Sequence, residues 1–271
     1  MAETMFQKSV IVASHPDDEI LWFSSILDRV DKVVICYLGC GSKPHWAEGR
    51  KQSLTEHPIK DIICLGMEES EVFQGADWQN PVATKYGIEI SNKKISIRKY
   101  NKNYHVLKKH LTDKLATFAN VFTHNPWGEY GNEEHVQVYR VIKELQNKLN
   151  FNLWFSNYSS NSSLNLMLRH ISGFNSEYLT LKTNKILGNQ AMDIYKENNC
   201  WTWFDDWKWF NEESFMEDRL LTDGIKTYGH IFPVNMIKFQ HHCANDRSKR
   251  AHVILNSWRK LKTKIKTIVN L

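Results

Sequence analysis

The chain has 271 residues, of which 42% are hydrophobic and 24% are charged. This composition excludes the disordered and fibrous classes, and the length is ample for a buried core. The formal net charge of +5 at pH 7 suits an anionic substrate or partner without specifying one. The five cysteines form no CxxC pair, so neither a disulfide framework nor a thiolate zinc site is indicated.

The sequence carries no recognisable targeting or membrane signal. The first ten residues lack an apolar stretch of signal-peptide length, and no apolar run approaches the ~20 residues that cross a bilayer. DNA-reading motifs are also missing, so no nucleic-acid partner is expected. We therefore expect a cytoplasmic enzyme or binding protein.

Apolar, β-branched runs alternate with helical patterns through the first half of the chain. The predicted strands are Ser9–Ser14, Lys32–Leu38, Asp61–Leu65, Asn120–His124 and Phe151–Ser156, the last of which ends the sheet. The predicted helices are Ile20–Val30, Trp46–His57, Tyr104–Phe118 and Glu133–Leu149, and an edge hairpin is predicted over Lys85–Ser91 and Lys94–Tyr100. This alternation predicts a Rossmann-like α/β fold, with a mostly parallel sheet and helices on both faces.

The pattern weakens beyond residue 157, where a Ser- and Asn-rich stretch precedes a helix near Asn184–Asn198. We find neither internal repeats nor a domain boundary, and we predict a single domain over residues 1–271. Its core spans about residues 8–157, and an irregular C-terminal segment, about 158–271, covers the sheet. Because ligands in open α/β sheets bind beyond the carboxyl ends of the strands, the loops there are the candidate site.

The first of these loops is His15-Pro16-Asp17-Asp18, directly after the first predicted strand. Pro16 restricts His15 to extended geometry, so His15 and Asp18 can converge across a tight turn while Asp17 projects differently. An imidazole together with a carboxylate suits a divalent metal, zinc first, and a bound cation would neutralise acids that otherwise repel one another. A helix N-cap at Asp18 is the alternative explanation.

The second loop, THNPWGEYGNEEHVQVYR at residues 123–140, follows the fourth predicted strand. A catalytic zinc site needs three protein ligands, and His135, on the first turn of the next helix, is the third candidate. Asp17 would then lie beside the water that the metal activates and act as general base. His124 is predicted to lie at the strand end, behind the ligands rather than among them.

Together, ASHPDDE and GEYGNEEHVQVYR resemble the paired motifs of the LmbE/PIG-L family of zinc-dependent de-N-acetylases. The resemblance covers about residues 8–155 in order and spacing. It implies a Rossmann-like fold, a Zn²⁺ cofactor and removal of acetyl groups from N-acetylglucosamine-type sugars. The family's substrates include glycolipid precursors, thiol-cofactor precursors, chitobiose units and antibiotic intermediates.

Roles for individual residues follow from the resemblance by position. It implies three zinc ligands and a general base, which are His15, Asp18, His135 and Asp17. Tyr130 matches a tyrosine that helps to stabilise the tetrahedral oxyanion in some members. Arg50 lies where members often place an arginine that contacts substrate, and a solvated helix charge is the alternative for this residue.

The sequence departs from the family pattern at Asn132. Many members have a histidine there, as in GHPDH, which is credited with stabilising the oxyanion or protonating the leaving group. Asparagine can donate a hydrogen bond but cannot shuttle a proton. Asp17 would then act first as base and later as acid, or another histidine would substitute. His230, in YGHIFPVN, is the best placed for that role, and His241 and His242 are weaker candidates.

Aromatic and basic segments occupy the second half of the chain. WTWFDDWKWF, at residues 201–210, is expected either to pack against the core or to form a wall for a sugar ring, as a helix face or an irregular cover. Trp127, in the second loop, is expected to contact substrate. The pattern of the tail Arg247–Leu271 predicts a basic amphipathic helix. We expect this helix either to dock on the domain or to make peripheral contact with a membrane surface or an acidic partner.

The sequence thus predicts zinc-dependent hydrolysis of the acetamide of an N-acetylamino sugar, releasing acetate and a free amine, with the oxyanion held by the metal and by Tyr130 or Asn132. Two alternatives stay open. One is a non-catalytic sugar-binding relative, in which Asn132 marks the lost chemistry. The other is a nucleotide-binding protein with HPDDE as a helix cap, and the lack of a GxGxxG or GxxxxGKS/T loop argues against it.

Overall fold

One sheet organises the part of the chain that the computed structural model describes, residues 5–174, 177–219 and 232–239. The strands of these residues are β1 (Ser9–Ala13), β2 (Lys32–Gly39), β3 (Ile62–Glu68), β4 (Ala83–Thr84), β5 (Gly87–Ile88), β6 (Asn120–Thr123), β7 (Asn152–Ser156), β8 (Tyr158–Ser160), β9 (Tyr178–Lys182), β10 (Glu212–Glu217) and β11 (Asn235–Ile237). Seven of them form the sheet in the order β3-β2-β1-β6-β7-β10-β9, while β4 pairs with β5 and β8 with β11. Five neighbouring strands of this sheet, β3, β2, β1, β6 and β7, run parallel to one another. Strand β10 is antiparallel to both of its neighbours, β7 and β9. The predicted mostly parallel α/β sheet is confirmed.

Helices lie between most of the strands along the chain. In the described residues they are α1 (Asp18–Leu21), α2 (His45–Glu56), α3 (Ile97–Leu115), α4 (Glu133–Leu149), α5 (Leu164–His170) and α6 (Lys185–Glu197). The β1–β2–β3 connections and the β6–β7 connection run in opposite directions across the sheet. Because such crossovers are right-handed, α1 and α2 cover one face and α4 covers the other. On its own face, α4 packs against α3.

The order of the strands reverses between β1 and β6, which are neighbours in the sheet although they are far apart in the chain. Val12 pairs with Thr123 near the carboxyl ends of the two strands. Val10, Ile11 and Val12 are completely buried, as expected for a central strand covered on both faces. The loops that leave β1 and β6 therefore meet at the crevice where open α/β sheets bind ligands.

The hairpin predicted over Lys85–Ser91 and Lys94–Tyr100 is wrong. The chain forms only the two-residue pairing of β4 with β5, and α3 begins at Ile97, seven residues before the predicted start. The reason lies in the burial pattern: Tyr100, Tyr104, Leu107, Leu111 and Leu115 are all buried along one helix face. This spacing of three and four residues extends the helix through the region that alternates like a strand.

Two other element predictions also need correction. The helix predicted over Ile20–Val30 is regular only to Leu21, and turns follow. One cause is that the Ser25 amide donates to the Glu213 carboxylate of β10 at 2.7 Å, which removes it from the helical hydrogen-bond ladder. Strand β7 was expected to end the sheet, but β10 pairs with it and β9 follows. The segment expected to be an irregular cover thus supplies two strands of the seven-stranded sheet.

The described elements belong to a compact unit that spans Met1–Ile237. A single domain over all 271 residues stays a prediction. No helix in the described ranges is long and apolar enough to cross a bilayer. The basic tail Arg247–Leu271, with its predicted membrane contact, lies outside the described residues, as do His230, His241 and His242.

Candidate metal centre

The loop between β1 and α1 brings a histidine and an aspartate onto one point. The His15 backbone N–H donates to Oδ2 of Asp18 at 2.8 Å, and Nδ1 of His15 lies 3.2 Å from the same oxygen. Trp22, at the end of α1, donates its indole N–H to the other oxygen, Oδ1, at 2.8 Å. Both oxygens of Asp18 are thus held, and the side chain lies 2% exposed at the sheet edge.

The loop between β6 and α4 is a tight turn that depends on glycine. Gly128 and Gly131 have φ values of 67° and 97°, and a Cβ on Gly128 would lie 2.4 Å from the Asn132 carbonyl oxygen. Asn132 caps α4, because its side-chain oxygen accepts the backbone N–H of Glu134 at 2.8 Å and of His135 at 3.4 Å. The cap places His135 on the first turn of α4, facing the loop after β1.

The two loops meet at three side chains that fit a metal ion. Ligand atoms of His15, Asp18 and His135 all lie within 4.8 Å of one another, and Nε2 of His135 is 3.1 Å from Oδ2 of Asp18. That Nε2 is buried, and the Asp18 carboxylate faces it without a well-formed hydrogen bond. A buried ring nitrogen in this position is better satisfied when a ligand binds it. Two imidazole nitrogens and one carboxylate oxygen form the donor set of a catalytic zinc site.

His124 lies against this group but has no nitrogen left for a metal. Its ring centroid is 3.9 Å from that of His135. Nε2 of His124 accepts the Ser14 backbone N–H at 2.8 Å, and Nδ1 lies 3.0 Å from Oε2 of Glu129. These contacts set the tautomer, with the proton on Nδ1. His124 therefore follows the end of β6 beside His135, and its place behind the zinc ligands stays a prediction.

Glu129, which sequence reasoning missed, supports both histidines of the second loop. Its Oε2 lies 2.8 Å from Nδ1 of His135 and 3.0 Å from Nδ1 of His124. Burial alone would raise the pKa of Glu129, but the two histidines outweigh it and lower the pKa to about 2. A carboxylate on Nδ1 leaves Nε2 as the nitrogen of His135 that could hold a metal, and it makes that nitrogen more basic. The signal in the sequence is a lone acid between the two loop glycines.

The site carries excess negative charge. Burial alone would lower the pKa of His135, but the charges and hydrogen bonds of Asp18 and Glu129 outweigh it and raise the pKa to about 9. The pKa of His15 is raised as well, because nearby carboxylates, among them Glu134 at 2.9 Å from its Nε2, outweigh the effect of burial. The carboxylates that raise the pKa of these buried imidazoles also form a negatively charged environment, and a bound cation would be stable there.

Asp17 precedes Asp18 in the loop, and its contacts with Glu19 and Thr202 differ from those of Asp18. Its φ of 99° is unusual for a residue with a side chain, and its backbone N–H donates to Oε2 of Glu19 at 2.9 Å. The Thr202 hydroxyl donates to Oδ2 of Asp17 at 2.6 Å. Burial raises the pKa of Asp17 to about 7, the charge of Asp18 adds to the rise, and the Thr202 bond opposes it.

Tyr130 and Asn132 are linked at the mouth of the site. The Asn132 side-chain N–H donates to the Tyr130 oxygen at 2.8 Å. The Tyr130 ring meets the His135 ring edge-on, with centroids 5.3 Å apart. Burial raises the pKa of Tyr130 well above its ordinary value, so the hydroxyl keeps its proton at neutral pH.

Arg50 is buried rather than solvated, which removes the alternative of a free helix charge. Its Nη1 donates to the Leu38 carbonyl at 3.1 Å and pairs with Glu69. Glu69 in turn shares a cluster with His15 and Glu134. Arg50 therefore lies close to the loop after β1, where its positive charge partly offsets the negative charge of the carboxylates of the site.

Trp127 lies in the core instead of on the site surface. It is completely buried, donates its indole N–H to the Tyr158 carbonyl at 2.6 Å, and packs edge-on against Phe155. This side chain offers no surface to a substrate, so the contact expected for it is not supported by its position.

The Trp-dense segment, residues 201–210, is an irregular cover and not a helix. Trp203 packs against Trp22 and Tyr130, with ring centroids 5.4 Å and 4.8 Å away. Phe204, the next residue, is 46% exposed. The segment thus packs against Trp22 and Tyr130 and is partly exposed to solvent, and its role as a wall for a sugar ring stays a prediction.

Comparisons with known proteins bear on the fold alone. No family model matches the sequence, and no curated protein matches it. A deacetylase in the biosynthesis pathway of teicoplanin is 10% identical, with 79% of this chain and 99% of that chain covered and a TM-score of 0.49. A zinc-inhibited form of teicoplanin deacetylase is 12% identical, with the same coverages and a TM-score of 0.47. The A40926 pseudoaglycone deacetylase is 8% identical, covers 71% of this chain and 81% of its own, and has a TM-score of 0.41. Likeness at this level carries no conclusion about activity.

Proposed function

We propose that this protein is a zinc-dependent de-N-acetylase of the LmbE/PIG-L type that acts on an N-acetylamino sugar. One observation supports the proposal most directly: Nε2 of the buried His135 and Nδ1 of His15 both face Oδ2 of Asp18, at 3.1 Å and 3.2 Å. The motifs that contribute these residues are the ones on which the family resemblance rests. The sugar class follows from that resemblance, and the metal from the donor set.

The residues around the three ligands divide the chemistry between them. When bound, zinc polarises the amide carbonyl and lowers the pKa of the attacking water. Asp17, whose pKa of about 7 lies near neutrality, accepts the proton of that water and later returns it to the leaving amine. Since Asn132 cannot transfer a proton, both transfers fall to Asp17 in the described site.

Tyr130 is the proposed donor to the tetrahedral oxyanion. Because Asn132 donates to the Tyr130 oxygen, the hydrogen of the hydroxyl is directed away from Asn132. A neutral tyrosine that is already oriented stabilises developing negative charge without reorganisation in the reaction. Asn132 therefore acts by orienting Tyr130 and by capping α4, and Arg50 acts on the acids through its charge.

A non-catalytic sugar-binding protein is the second candidate. The observation that favours it is again Asn132, whose oxygen caps the helix and whose N–H is used by Tyr130. Neither group can replace the proton transfer of a histidine. In this candidate the metal would hold a sugar without hydrolysing it.

Zinc content and acetate release separate these functions. Purified protein loaded with zinc is incubated with N-acetylglucosamine, its methyl glycoside and di-N-acetylchitobiose, and acetate and free amine are measured. We expect one zinc per chain and acetate release that stops when a chelator removes the metal. Stoichiometric zinc without acetate from any of these sugars would support the second candidate. A folded protein that binds no zinc would contradict both.

A further inference from the structure

We infer that Thr202 is a positioning residue that orients the Asp17 carboxylate for proton transfer. The inference rests on the proposed function, in which Asp17 is the base. Its direct support is the hydrogen bond from the Thr202 hydroxyl to Oδ2 of Asp17, which measures 2.6 Å. The two residues are 185 positions apart in the sequence, so this contact exists only in the folded chain.

A base needs its carboxylate fixed as well as its backbone. The Asp17 backbone is held in a left-handed conformation, with φ at 99° and the N–H bound to Glu19. These contacts leave rotation about the side-chain bonds of Asp17 undetermined. The Thr202 hydroxyl acts on the carboxylate itself and so selects one orientation of it. A hydroxyl is suited to this task because it adds no charge to a crowded site.

Thr202 is held in place by the end of α6. The backbone N–H groups of Cys200 and Trp201 both donate to the Tyr195 carbonyl, at 3.0 and 3.1 Å. The Cys200 side chain is buried and lies 3.2 Å from the Ser53 hydroxyl of α2. A side chain that ends a supported turn stays in position better than one on a free loop.

The same helix also reaches the other partner of Asp17. The Tyr195 hydroxyl donates to Oε1 of Glu19 at 2.7 Å, while Oε2 of Glu19 accepts the Asp17 backbone N–H. Glu19 and Tyr195 are completely buried. Helix α6 therefore supports Asp17 in two ways. Tyr195 holds Glu19, which binds the Asp17 backbone, and the end of the helix holds Thr202, which binds the Asp17 carboxylate.

The residue after Thr202 anchors the segment from the opposite side. Trp203 packs edge-on against Trp22 at the end of α1 and against Tyr130 of the second loop. These contacts place the backbone of residues 201–203 across both loops. The part of the chain that lies beyond the two sequence motifs thus contributes directly to the site.

The test compares Thr202→Val with Thr202→Ser. Valine keeps the shape of the side chain but removes the hydroxyl, whereas serine keeps the hydroxyl. We expect Thr202→Val to lower kcat about 10- to 100-fold, the size of effect that a displaced reacting group has, with KM and zinc content unchanged. Thr202→Ser should restore most of kcat. Thr55→Val is the matched control, because Thr55 is exposed and its hydroxyl donates to the Lys51 carbonyl of its own helix at 3.0 Å.

A crystal structure of Thr202→Val gives a reading that needs no substrate. We expect the Asp17 carboxylate to be rotated or disordered, with the zinc ligands in place. An unchanged kcat, or a loss of zinc or of folded protein as the main effect, would overturn the inference. Asp17→Asn distinguishes a failure of the proposed function from a failure of the inference about Thr202. An active Asp17→Asn variant refutes the proposed function. An inactive Asp17→Asn variant together with a fully active Thr202→Val variant refutes only the role of Thr202.

Discussion

Oε2 of Glu129 lies 2.8 Å from Nδ1 of His135, and the same oxygen lies 3.0 Å from Nδ1 of His124. One carboxylate thus orients two stacked imidazoles, of which only His135 has a nitrogen free toward Asp18. The loop between β6 and α4 is built around this contact, because Oε1 of Glu129 accepts hydrogen bonds from the Asn125 backbone N–H and from the Ser156 hydroxyl.

We expect Glu129→Gln to weaken zinc binding about 10- to 100-fold, since a carboxylate behind a ligand histidine strengthens and orients it. Competition with a chromogenic chelator measures the affinity. Glu144→Gln is the control, because Glu144 forms an ion pair with Lys108 in which both side chains are substantially exposed. Equal zinc affinity in the wild type and Glu129→Gln would show that the contact is structural only.

His135→Ala should reduce the zinc content of the purified protein well below one per chain, because it removes one of three protein ligands. Metal analysis after dialysis is the measurement. His105→Ala, at an exposed position of α3, should keep full zinc content. Full loading of His135→Ala would move the metal away from the proposed ligand set.

Asp17→Asn should keep zinc and lose turnover by about 10²- to 10⁴-fold, the range that a general base contributes. Acetate release and metal content are measured on the same samples. Asp113→Asn, at an exposed position of α3, serves as the control for a changed charge. If Asp17→Asn retains most of its activity, another group is the base.

Asn132→Ala should lower the free energy of unfolding by about 1 kcal/mol, because the N-cap of α4 is lost. Asn132→Ser keeps an oxygen that can cap, so its stability should stay within a few tenths of a kcal/mol of the wild type. Urea unfolding of the metal-free proteins compares them. A serine variant as unstable as the alanine variant would assign the effect to the bond with Tyr130.

Stability should depend on pH through Glu213, which is completely buried and accepts from the Ser25 backbone N–H and the Tyr158 hydroxyl. Burial raises its pKa from 4.5 to about 7, against the opposing hydrogen bonds of Ser25. The folded state therefore holds a proton that the unfolded state releases between these values. The associated stability is fully present below pH 4.5 and is lost as pH rises through about 7.

Glu213→Gln removes this titration. Relative to the glutamine variant, the wild type should lose about 2–4 kcal/mol of unfolding free energy between pH 4.5 and pH 8. Urea titrations at a series of pH values give the difference. A constant difference across this range would show that Glu213 ionises in the folded protein as it does in the unfolded one.

The local patterns were the reliable part of the prediction. Helix α4 has the predicted bounds, and β1 differs from its prediction by one residue, because each pattern is continuous and contains its own boundary signals. Where local patterns conflicted, tertiary contacts decided. The alternating residues before Tyr104 are helical because Tyr100 belongs to the buried face of α3. The helix predicted over Ile20–Val30 is interrupted after α1, where the Ser25 amide donates to Glu213.

The sequence by itself determined the mostly parallel sheet and the positions of its first strands along the chain, and it indicated that His15, Asp18 and His135 belong together. These features follow from apolar periodicity and from two loops at strand ends. Only the tertiary structure decided which ring nitrogen of His135 faces Asp18, that Asn132 is a cap bonded to Tyr130, that Glu129 contacts two histidines and that Thr202 contacts Asp17. Hydrogen bonds have direction and range of a few ångströms, and a sequence records neither until the chain has folded.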